Sequence, residues 1–177
     1  MKTLTSIILV IISLIVVGCA GLGKPISIHK AALVGDIEAI QEHIKLGSDL
    51  NEKDPFGSTP LIIAATFGKT EVALALIAAG ADLNIKNNDG STALITAAFL
   101  CRTEIVKALL AKGADKNATN KAGSTALESV AAPFDYVKEF YDNLGKALGP
   151  LGLKLDYEHL KKTRPIIAEM LQNLGSE

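Results

Sequence analysis

Three histidines and two cysteines are the side chains best suited to acid–base, nucleophilic or metal chemistry, and their spacing supports none of these. His29, His43 and His159 stand far apart, and neither Cys19 nor Cys101 shares a motif with a histidine. No H-E-x-x-H, G-x-S-x-G, phosphate-cradling glycine loop or four-ligand metal spacing occurs. Asp49, Asp82 and Asp115 each stand two residues before an asparagine, in turns where local hydrogen bonding explains an aspartate. A non-enzymatic chain without metal or dissociable cofactor is expected. With 18 basic and 19 acidic residues the formal charge is −1, which offers no footprint for nucleic acid. The cluster Lys161, Lys162 and Arg164 reads as a solvated helix face. At 177 residues, 49% hydrophobic, the chain can build one soluble domain with a sizeable core.

Cys19 is the exception, because of what precedes it. Lys2 leads into an apolar run from Ile7 to Val17, broken only by Ser13, and the run ends at Val16-Val17-Gly18-Cys19. It is roughly half the 20 or so residues that a permanent transmembrane helix needs, and suits the core of an export signal over residues 1–18. The tetrad resembles the lipobox of bacterial lipoproteins, in which the cysteine takes a diacylglyceryl group and then an N-acyl chain as the new N-terminus. That resemblance implies palmitate-type lipid on Cys19, a periplasm-facing place in a bacterial envelope and, with Ala20 next, the outer membrane. More than one acyl chain gives stable anchoring, at about 0.8 kcal/mol per buried methylene. Residues 19–25 are then a tether reaching roughly 20 Å. Cys101 is left single, so no internal disulfide is expected.

Elsewhere the chain repeats itself. Gly57, Gly90 and Gly123 are spaced by 33, as are Gly47, Gly80 and Gly113, and the segments GSTPLIIAA, GSTALITAA and GSTALESVA share a frame. This resembles the ankyrin repeat, a turn followed by two antiparallel helices. The resemblance implies an all-α solenoid of about four helix-turn-helix units within residues 26–177. The units fall at about 26–53, 54–86, 87–119 and 120–132 plus 162–177. The residues carry their own argument. Thr59, Thr92 and Thr125 supply capping hydroxyls, Pro60 suits a first helical position, and Ala31-Ala32, Ala64-Ala65 and Ala97-Ala98 allow close helix approach. Val72, Leu76 and Ile77, then Ile105, Leu109 and Leu110, form the apolar face of each second helix. Gly80 and Gly113 fit C-terminal caps with positive φ. His29 stands where the family's T-P-L-H pattern has a histidine that bonds loop backbone. Cys101 replaces the glycine found at 35 and 68, which implies a strained or altered turn.

The third copy of the phrase stops at Ala132, and Pro165 to Gly175 resembles a displaced second helix. An insertion at about 133–161 is therefore expected to split the fourth unit. Within it Val137, Phe140, Tyr141, Leu144 and Leu148 form a helical stripe ended by Gly149-Pro150, and Asp156 is placed to cap a second, short helix. The stripe either packs on the repeats or faces a partner.

The resemblance places binding at the turn tips and on the inner face of the first helices. There Leu33-Val34, Thr66-Phe67 and Phe99-Leu100 recur at spacing 33 as a largely apolar row. The expected contact residues are Phe56, Phe67, Asp89, Phe99 and Leu100, with Phe134 and Tyr136 from the insertion. The function expected is that of a monomeric, membrane-anchored module binding a protein partner. An immunity protein neutralising a periplasmic toxin and a structural envelope lipoprotein are the alternatives.

Overall fold

A computed structural model describes residues 26–173. The export signal, Cys19, the tether and Gly175 lie outside the described residues. Among those described there are nine α-helices and no strand. The first three units contain α1 (Ile28–Val34) and α2 (Ile37–Lys45), α3 (Pro60–Phe67) and α4 (Thr70–Ala78), α5 (Ala93–Phe99) and α6 (Thr103–Ala111). They are followed by α7 (Ala126–Ala131), α8 (Phe134–Leu148), a 3-10 turn at Gly149–Leu151, and α9 (Tyr157–Asn173).

Each first helix begins on a side-chain cap. Thr59, Thr92 and Thr125 accept from the backbone N–H groups of Ile62, Ile95 and Glu128, and Ser27 does the same for Lys30 in the first unit. In α7 the Glu128 side chain reaches back to the Thr125 N–H, completing a capping box. α1, α3, α5 and α7 stack as one layer, and α2, α4 and α6 as the other. The contact surfaces are made of alanines and branched aliphatics: Ala31, Ala32, Ala64, Ala65, Ala97 and Ala98 have no exposed surface. Helices this short are marginal alone, so burial of Leu61, Leu76, Leu94 and Leu109 between neighbours is what holds them.

α9 packs along α7 and touches α6, completing the second layer. It differs from expectation in one respect. The short helix expected from Asp156 and the terminal helix are one continuous element, so the expected boundary at 161/162 falls inside it. Pro165 removes one backbone donor mid-helix, but Pro165 and Lys161, whose carbonyl is freed, both face water. Burial of Leu160, Ile167 and Leu171 outweighs the break.

The same helix corrects the reading of the basic cluster. Lys161 and Lys162 are solvated, but Arg164 is 2% exposed. The insertion's stripe also divides: Tyr141 is fully buried, Val137, Leu144 and Leu148 are half-buried, and Phe140 is 68% exposed. No helix among the described residues is long and apolar enough to cross a membrane.

Candidate functional site

The surface that a partner could meet is built from the turns upward. In each turn one short polar side chain accepts from two backbone N–H groups. Asp54 Oδ1 accepts from Phe56 and Ser58, Asn87 Oδ1 from Asp89 and Ser91, and Asn120 Oδ1 from Ala122 and Ser124. Successive tips are then tied: Asn88 donates through its backbone N–H to Phe56 O at 3.0 Å, and Lys121 N–H donates to Asp89 O at 2.9 Å. The tips present Phe56, 75% exposed, and an exposed Asp89. Asp54, Asn87 and Asn120 were missed as organisers of this edge, although their recurrence at spacing 33 is visible in the sequence.

Lower down, Asn51 and Asn84 accept from the N–H groups of Asp82 and Asp115 in the next unit, while Lys53 and Lys86 donate to the carbonyls of Lys86 and Thr119. His29 Nε2 donates to the Glu52 carbonyl at 2.8 Å, the loop-bracing role its position implies. His43 is also bridged, with Nε2 donating to Ile26 O and Nδ1 against the Ser48 hydroxyl.

On the inner face the row of first-helix ends is open at one end and covered at the other. Val34 is 52% exposed and Phe67 half-buried, beside an open cleft lined by Gly35, Gly68, Lys69 and Val72. The Arg102 guanidinium lies across Gly68 and donates through Nη2 to Thr66 O at 3.2 Å, while its buried Nε has no partner. Burial lowers its pKa. One unit further, Phe99 lies under the insertion. Its ring stacks on Tyr141 with centroids 4.5 Å apart, and Tyr141 stacks in turn on Phe134. The Tyr141 hydroxyl donates to the Phe99 carbonyl, one of the acceptors left unpaired where α5 ends, and accepts from Arg164 Nη1 at 2.8 Å. Arg164 Nη2 donates to Ala132 O at 2.9 Å. No carboxylate among the described residues pairs with this guanidinium, so its charge is compensated by neutral oxygens and the Tyr141 ring face.

Cys101 adopts φ +56 where the earlier units have glycine, the altered turn its identity implied. Its thiol is buried, with Sγ 3.7 Å from Leu160 O. Burial pushes its pKa up to about 11, against the opposing pull of the Arg164 and Arg102 charges, so the thiol is protonated and unreactive at neutral pH. Burial likewise pushes Tyr141 up to about 12. At the outer edge Asp142 accepts from Tyr157 and Lys138, and these bonds hold its carboxyl below the usual range.

Of the expected contact residues, Phe56, Asp89 and Tyr136 are exposed and Phe67 is half-buried. Phe99 and Phe134 are engaged with Tyr141. Leu100, the C-cap residue of α5, is 2% exposed within the core and offers no surface to a partner. No group of three or more potential metal ligands occurs among the described residues.

The sequence profile of ankyrin repeats, in three copies, matches residues 28–120, more than half of the chain. The chain belongs to the ankyrin-repeat family. A human relative, the DNA-binding protein RFXANK, is 43% identical over 47 residues, which are 26% of this chain and 18% of that protein. The three matched ankyrin units form a protein–protein interaction module, and the cover over Phe99 is built from residues beyond them.

Proposed function

We propose that this ankyrin chain is a non-enzymatic module that binds a protein partner on the open end of its inner row, while lipid on Cys19 holds it to a bacterial envelope membrane facing the periplasm. The observation that carries the binding reading is the uneven treatment of the row. At Phe99 the chain spends its own insertion to cover apolar surface; toward the other end of the row Val34 is left exposed and Phe67 half-buried. Apolar surface on the inner face of a rigid stack is pre-organised for binding, and costs little ordering on association. Phe56 and Asp89, exposed at the tips, complete the contact set. The anchoring reading rests on the lipobox resemblance around Cys19.

Two experiments test the two halves separately. A photo-crosslinker at the exposed Phe56 should capture a protein from the membrane fraction, and Val34→Asp with Phe67→Ala should weaken that capture by at least about 30-fold, or roughly 2 kcal/mol. An unchanged affinity rejects the open row as the binding surface. Metabolic labelling with palmitate should mark the wild-type chain and not Cys19→Ala, which should leave the membrane fraction. Label surviving in Cys19→Ala rejects the anchor.

A further inference from the structure

α8 is apolar around more of its circumference than the solenoid covers. At 100° per residue, Val137, Tyr141, Leu144 and Leu148 lie on the covered side, within an arc of about 60°. Tyr136, Phe140, Asn143 and Ala147 occupy an adjoining arc of about 60°, and there Tyr136 is 80% and Phe140 68% exposed. Beyond that stripe, away from the solenoid, the flank carries Asp135 and Glu139 in the first half of the helix and Lys146 in the second. Asp142 and Lys138 lie further round and are engaged with each other and with Tyr157. Among the described residues Glu139 and Lys146 enter no hydrogen bond or ion pair; Lys146 acts on Asp142 only at a distance.

We propose that the exposed stripe is a self-association surface, on which α8 packs antiparallel against α8 of a second copy. Residues on the same flank face each other in an antiparallel helix pair. With the two-fold axis passing between Phe140 and Asn143, Tyr136 meets Ala147 and Phe140 meets Asn143 of the other copy. The large side chains thus fall opposite smaller ones, and Glu139 meets Lys146 twice. A parallel pairing would instead put the two copies' Glu139–Lys146 flanks on opposite sides of the interface, leaving these charges unmatched, and align the helix dipoles. The flank also argues against a lipid surface as occupant: anionic headgroups select a basic flank, and here a glutamate adjoins the aromatics. One face of a four-turn helix buries less than the roughly 800 Å² per partner of a stable complex, so the dimer dissociates on dilution. The proposed dimer departs from the monomer expected from sequence.

The test uses the full chain in intact cells, with Asn143→Cys beside the proposed axis and a short bis-maleimide crosslinker; the chain with Asn143 intact is the control. The crosslinked dimer should form, should fall at least about fivefold with Glu139→Lys or Lys146→Glu alone, and should return when both charges are exchanged together. Phe140→Glu should abolish it with unchanged helix content. Absence of crosslink, single exchanges without effect, or a double exchange that fails to restore the dimer overturns the proposal. So does Phe140-dependent co-sedimentation with phosphatidylglycerol–phosphatidylethanolamine vesicles in the absence of dimer.

Discussion

Replacing Tyr141 by phenylalanine keeps both ring stacks and removes one oxygen. That oxygen donates to the Phe99 carbonyl and accepts from Arg164 Nη1, in a site where Tyr141 is 0% and Arg164 2% exposed. A buried partner left unsatisfied costs about 1–3 kcal/mol, more when charged. The carbonyl stands at a helix end and Nη1 belongs to a guanidinium that keeps its bond to Ala132 O, so both sit toward the lower end of that range. The sum is about 2–3 kcal/mol. Because a repeat stack opens unit by unit, the loss should be local. Native-state hydrogen exchange reads this directly. Amides of α8 and the first turns of α9 should exchange roughly 30- to 150-fold faster, at about 1.4 kcal/mol per factor of ten, while α3 and α4 change by less than about threefold. Tyr136→Phe, at an exposed position, is the control and should change nothing. An even acceleration across all units, or none in α8, would falsify the account of the hydroxyl as the bolt that holds the cover.

Turn-tip stacking predicts unequal costs at two glycines of nearly equal backbone geometry. Gly90 and Gly123 have φ +77 and +79, but a Cβ on Gly90 would stand 2.8 Å from the Lys121 nitrogen, whereas one on Gly123 meets nothing within 4 Å. Gly123→Ala should cost about 1 kcal/mol from strain alone, and Gly90→Ala at least twice that in urea titration; equal costs refute the tip contact. The raised pKa values of the two buried groups, Cys101 and Tyr141, set an alkaline limit. Cys101 and Tyr141 stay protonated in the fold to about 11 and about 12, while in the unfolded chain they ionise near 9.0 and 10.0. The native state therefore holds more protons across that window, so stability is complete below pH 9 and is lost as pH rises through 11 to 12. In Cys101→Ala the onset should move up toward pH 10, and an onset unmoved in thermal melts contradicts the burial of the thiol.

How much of this could be read in the sequence depends on the range of the interaction. The repeat, its threonine caps, the role of His29 and the unusual turn at Cys101 each follow from identity at a fixed spacing, because the physics is local to one unit or passes to the next. The cover is different. The periodicity of α8 tells that one side is apolar, but not which neighbour it meets, and it grouped Phe140 with Tyr141 although adjacent residues stand about 100° apart. Leu100 looked like a contact residue because residues 33 positions apart are equivalent in a regular stack, yet it is 2% exposed where Val34 is 52% exposed. Arg164 was the most misleading. Beside Lys161 and Lys162 it has the composition of a solvated face, and its burial depends on Tyr141, 23 residues earlier, and Ala132, 32 residues earlier. Those partners are brought near only after the insertion folds back, so no pattern within α9 could reveal them. A buried guanidinium without a carboxylate is costly unless each donor is met, and here a tyrosine hydroxyl and a backbone carbonyl meet two of them. The choice of arginine over lysine at this position follows from that geometry: the planar fork spans two acceptors on different elements, which a single ammonium on a flexible stem holds less well. Arg164→Lys should therefore loosen α8 nearly as much as removing the Tyr141 hydroxyl, although the charge is kept. Exchange rates in α8 equal to wild type would show that the charge alone, and not the fork, secures the cover.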